Sequence, residues 1–122
     1  MARDRLGPNR DQLVVARLTG IARRYARWGS LDEERQAAGA TELRQAAAGR
    51  GDLLAEVAGV ALGTSEGKGE EYRAQSQAVA GLCRAAGADE DLILGWIEEG
   101  RRRAEAARLP PFSRPGRAPP RP

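Results

Sequence analysis

Apolar positions along this chain recur at helical intervals, and no segment alternates with the period of two that marks a strand. Val14, Leu18, Ile21, Tyr25 and Trp28 follow one another at steps of 4, 3, 4 and 3. That spacing predicts a helix from about Asp11 to Trp28 whose stripe packs on another helix, with Arg17, Arg23, Arg24 and Arg27 opposite. Gly29-Ser30 ends it, and Ser30 with Glu33 forms an S-x-x-E capping box for a second helix over 31–48. The second helix is weakly amphipathic, with Leu31, Ala38 and Leu43 as its apolar markers.

Gly49-Arg50-Gly51 predicts a turn, after which Asp52 caps a short apolar helix over Leu53–Leu62. Gly63 through Gly69 is expected to be a flexible connector. A fourth helix, about Glu70–Ala86, presents Tyr72, Val79, Leu82, Cys83 and Ala86 and stops at Gly87. A fifth begins at Asp89, carries Leu92, Ile93, Trp96, Ile97 and Ala104, and is ended by Pro110-Pro111. The expected fold is all-α: one bundle of about five helices over 11–109, between a flexible basic start (1–10) and a disordered Pro/Arg-rich tail (110–122).

Composition thins the expected core. Of the hydrophobic residues, 23 are Ala, which favours helix but buries little area. Gly20, Gly59, Gly81, Gly95 and Gly100 fall inside predicted helices, at about 1 kcal/mol each relative to Ala. Either helices break there or neighbouring backbones approach too closely for a side chain. Such a fold is expected to lean on a partner or on self-association.

Charge is dealt unevenly. Residues 1–30 carry seven Arg against two acids (+5), residues 31–100 six basic against fourteen acidic (−8), and residues 101–122 seven Arg against Glu105 (+6). Two basic ends flank an acidic middle. Arg101, Arg102, Arg103 and Arg108, continued by Arg114, Arg117 and Arg121, are candidate polyanion-binding residues, although cations at a helix C-terminus also offset its dipole. A ratio of 19 Arg to one Lys follows equally from a GC-rich coding sequence. Asp32-Glu33-Glu34, Glu70-Glu71 and Asp89-Glu90-Asp91 stand at helix starts, where carboxylates offset the opposite end of the dipole.

Catalytic chemistry finds few residues. No His is present, so neither a Ser–His nor a Cys–His dyad can form. The lone Cys83 lies on an apolar face, where a thiol is inert packing, and one cysteine makes no internal disulfide. Glu98 and Glu99 are adjacent on a helix and point apart. Gly63-Thr64-Ser65-Glu66-Gly67-Lys68-Gly69 imitates a phosphate loop but is one residue short, lacks the hydroxyl residue after Lys, and follows a helix rather than a strand. No cofactor, metal or small-molecule substrate is indicated. The start lacks an apolar signal core and no run is long enough to span a bilayer, so a cytoplasmic, non-membrane protein is expected.

From Gln77 to Arg103 the chain reads Gln77-Ala78-Val79-Ala80, Leu82-Cys83-Arg84-Ala85-Ala86-Gly87, Leu92-Ile93-Leu94-Gly95-Trp96-Ile97 and Gly100-Arg101-Arg102-Arg103. A small residue four before a turn glycine, Ile six after it and Trp three later resembles the helix-turn-helix of Cro/repressor-type regulators. The resemblance implies a second helix in the major groove, with Asp89, Glu90, Asp91 and Leu92 at the base edges. Three carboxylates there would oppose phosphates, and Gly100 falls one place later than that family's glycine. The expected function is therefore a non-catalytic interaction or adaptor protein that binds a protein partner or itself through the apolar face Val14, Leu18, Ile21, Tyr25, Trp28 and its basic ends. The alternative is a nucleic-acid-binding accessory or regulator with a degenerate helix-turn-helix at 77–103.

Overall fold

The computed structural model describes residues 9–27 and 31–108, which form five α-helices and no strand. They are α1 (Arg10–Tyr25), α2 (Glu33–Ala47), α3 (Gly51–Ser65), α4 (Glu70–Ala85) and α5 (Glu90–Arg108). α3 is apolar around most of its circumference, and a helix of that kind has to be surrounded. It packs against each of the other four, burying Leu53, Leu54, Val57 and Ala58. α1, α2 and α4 complete the core with Leu18, Leu43, Leu82 and Cys83. The fold is a small all-α bundle.

α5 has a different relation to the rest. Among the described residues its only extended interface is with α3, and the two run parallel. At one end the Asp89 amide donates to the Gly51 carbonyl at 3.0 Å; at the other Arg101 is paired with Glu66. Between these ends the helices meet backbone to backbone. A Cβ on Gly59 would lie 2.3 Å from Trp96 Cβ, and one on Gly63 would lie 2.2 Å from the Ile97 carbonyl oxygen. Gly59 and Gly100 thus fill the close-approach role expected of an interior glycine, whereas Gly20, Gly81 and Gly95 face open space within unbroken helices.

Several boundaries differ from the sequence reading. α2 is capped by Asp32, whose carboxylate accepts from the Arg35 amide at 2.7 Å; the expected cap, Ser30, lies outside the described residues, as do residues 1–8, Trp28 and the tail from Leu109. Asp52 does not cap α3. It sits in the first turn, and its side chain pairs with Arg50, which also reaches Asp11 on α1. The expected connector begins three residues later than predicted, because Gly63, Thr64 and Ser65 continue α3. Gly63 is held against α5, and the two hydroxyls donate to Val60 and Leu62 carbonyls one turn back. Of the predicted apolar markers, Ala38, Tyr72 and Leu92 are exposed, while Gly39 and Ala40 take the buried face of α2. Gly39 is needed there, since a Cβ would lie 2.9 Å from Leu82 and 3.0 Å from Tyr25.

Candidate functional site

The first-helix stripe is not a free docking face. Leu18 and Ile21 are buried and Val14 and Tyr25 half-buried, all against other helices of the same chain. The Tyr25 hydroxyl donates to Glu42 of α2 at 2.9 Å, and Arg24 pairs with the same carboxylate. What the 3.5-residue spacing announced is an intramolecular partner. Trp28, its last member, lies outside the described residues.

The basic end of α5 is likewise engaged. Arg101 donates to both oxygens of Glu66 and to Glu98. Arg102 and Arg103 share Glu99, and Arg108 donates to the Glu66 carbonyl at 3.0 Å. Arg101 holds the Glu66 carboxyl below its ordinary value, and Arg103 with Arg102 does the same for Glu99. Four guanidiniums (101, 102, 103, 108) thus stand among four carboxylates (66, 98, 99, 105), a local sum of zero. The pairs are open to solvent, which screens them, so each contributes little to stability. Arg114, Arg117 and Arg121 lie outside the described residues.

The elements of the helix-turn-helix resemblance are present, with Gly87 at φ +105 in the turn. α4 and α5 share at most a marginal backbone contact and the Arg84–Glu90 ion pair at 2.8 Å, while α5 lies along α3. Asp89, Glu90 and Asp91 are exposed at the start of α5.

A cleft of about 310 Å³ opens where α1, α3, α4 and α5 come together. Val15, Val57, Val60 and Val79 supply apolar surface, and Arg23, Tyr72 and Arg103 are among its polar lining. Thr19 and Thr64 also line it, each donating its hydroxyl hydrogen at 2.8 Å to the carbonyl four residues back, Val15 and Val60. They present only lone pairs to the cleft. Glu56 is the remaining charged group. It is half-buried, and burial pushes its carboxyl above the ordinary value; Arg103 pulls the other way, while Asp11 and Asp52 repel it further. No described residue hydrogen-bonds its carboxylate. The only sequence signal for this site is that Glu56 interrupts an otherwise apolar helix. A second hollow, about 380 Å³ between α2 and α4 and bordered by Leu31, Gln36 and Gln77, has no charged lining residue.

Cys83 is buried, and burial pushes its thiol up to about 12. Among the described residues no group of three or more His, Cys, Asp or Glu side chains is placed to hold a metal ion, and no helix is long and apolar enough to cross a membrane. Comparison with protein-family models, curated proteins and solved structures gives no match to this chain.

Proposed function

We propose that this protein is a non-catalytic helical interaction protein whose partner is a second copy of itself, joined α1 to α5. The observation that carries this reading is the charge around the two most exposed leucines among the described residues. Leu13, 58% exposed on α1, lies one turn from Arg10 and Arg17. Leu94, 74% exposed on α5, lies one turn from Glu90, Asp91 and Glu98. Residues three and four apart share a helix face, so Leu13 shares its face with cations and Leu94 shares its face with carboxylates, of which Glu90 and Glu98 also pair with Arg84 and Arg101 while Asp91 does not. Arg10, Arg17 and Asp91 have no hydrogen-bonded side-chain partner among the described residues. A two-fold dimer would use both pairs of faces at once.

The one-sided packing of α5 adds support, because a helix held along one seam leaves most of its surface for a partner. The nucleic-acid reading is the weaker one: the arginines of α5 already have carboxylate or carbonyl partners, and its first turn is acidic. Sedimentation of the full chain from about 1 µM to 1 mM tests the proposal. A reversible monomer–dimer step in that range, weakened as salt rises toward about 1 M, is the expected result. A strict monomer throughout, or a shift only on added duplex DNA, overturns it.

A further inference from the structure

The cleft at the junction of α1, α3, α4 and α5 is unrelated to the self-association faces, and its chemistry is specific enough to name a ligand class. We infer that it binds a small organic cation, a protonated amine on a compact apolar body, with Glu56 as the counter-ion. The valines at 15, 57, 60 and 79 form apolar surface suited to an aliphatic or aromatic body. At about 310 Å³ the space lies at the small end of ligand pockets.

Polarity selects a cation over an anion. The Thr19 and Thr64 hydroxyls have spent their hydrogens on backbone carbonyls, so with Glu56 they make three acceptor groups lining one cleft. An anion would oppose all three. The groups that could favour an anion are less available: Arg103 donates its Nε to Glu99 at 3.0 Å, and Arg23 is exposed at the rim, where water screens it. Glu56 itself is drawn out of water without a hydrogen-bonding partner among the described residues; Arg103 acts on it through space, opposed by Asp11 and Asp52, which both pair with Arg50. An ammonium that enters the cleft supplies the hydrogen-bond donor that Glu56 lacks, with a charge-assisted bond that Arg103, acting on it only through space, does not make. Tyr72, from α4, lines the cleft beside the apolar body; the Lys68 ammonium stands over its ring, 5.9 Å from the centre, and is the further cation in the neighbourhood.

The test is a methyl-resolved NMR titration of the full chain with three linear six-carbon probes: hexylammonium, hexanoate and hexanol. Hexylammonium is expected to shift the Val57, Val60 and Thr64 methyl signals saturably, with hexanoate at least tenfold weaker and hexanol between them. Glu56→Gln, with its helix content verified by circular dichroism, is expected to weaken hexylammonium at least tenfold and to leave hexanol unchanged. Hexanoate binding as tightly as hexylammonium overturns the inference, as does an unchanged affinity in the variant or a response confined to exposed leucines such as Leu94. Should the variant fail to fold, the ranking of the three probes on the unaltered chain decides alone.

Discussion

Gly63 and Gly100 meet backbone to backbone: a Cβ on Gly63 would lie 2.9 Å from the Gly100 Cα, and one on Gly100 would lie 3.0 Å from the Gly63 Cα. Together with Gly59 they form the seam that holds α5, which has no other extended interface among the described residues. α5 and α3 therefore share one fate.

Opposite signs are expected for one chemical change made at two kinds of glycine. Gly59→Ala or Gly63→Ala drives a methyl into α5 backbone or Trp96 Cβ, atoms that cannot rotate away, at a cost of about 1–3 kcal/mol or more. Gly20→Ala and Gly95→Ala meet nothing within 4 Å and should stabilise by about 0.5–1 kcal/mol through helix propensity. Urea unfolding of the four variants reads this directly. Equal effects at Gly63 and Gly95 would remove the seam from the account.

Cys83 should be unreactive in the folded chain. Its thiol is buried and its pKa is raised to about 12 from an ordinary 9.0, so the thiolate that alkylates is scarce and shielded. Iodoacetamide labelling is expected to be slow without urea and fast in it. The same shift has a sign for stability: the contribution is fully present below pH 9.0 and is lost as pH rises toward 12, because the unfolded chain releases the proton first. Fast labelling under native conditions at neutral pH would show that the α4 face opens.

How far the sequence reaches is clear from particular residues. Leu18, Ile21, Val79 and Leu82 announce their burial by helical spacing, so the all-α class and five helices are legible from local pattern. Gly63-Thr64-Ser65 reads as a loop because each residue has modest helix propensity, yet it is helical. The groups that keep it so are the α5 backbone, more than thirty residues away in sequence, and hydroxyl bonds that spacing does not reveal. Of the pairs made by the arginines at 101–103, those to Glu98 and Glu99 follow from helical spacing, whereas Glu66, 35 residues from Arg101, is not visible in the local pattern. The cleft was invisible for the same reason: four helices each contribute part of its lining.

Two classes of carboxylate should give opposite pH dependences. Asp11 and Glu66 are lowered chiefly by hydrogen bonds from Arg50 and Arg101, so their contribution is present above the ordinary values of 3.8 and 4.5 and is lost as pH falls through the folded values. Both are exposed, and about 0.5 M salt should mute the effect. Glu56 runs the other way. Its raised folded value favours the protonated form, so its contribution is present below 4.5 and lost as pH climbs through that raised value. Glu56→Gln is therefore expected to be more stable than the parent at pH 7, with the difference closing on acidification below about 4.5. A variant less stable than the parent at pH 7 would mean that Glu56 is ionised and well paired in the fold.

The proposed dimer predicts a complementation. Leu13→Glu places an acid on the basic face of α1, and Leu94→Arg places a base on the acidic face of α5. Both positions are exposed, so folding should change by no more than about 0.5 kcal/mol. Each variant alone damages both contacts of a two-fold dimer, and sedimentation should report a monomer at concentrations where the parent associates. Mixed in equal amounts, they regain one intact Leu13–Leu94 contact, and the second contact brings the new Glu against the new Arg. Association in the mixture, but in neither variant alone, identifies α1 and α5 as reciprocal faces. If Leu13→Glu and Leu94→Arg each dimerise like the parent, the helices meet a partner elsewhere or not at all.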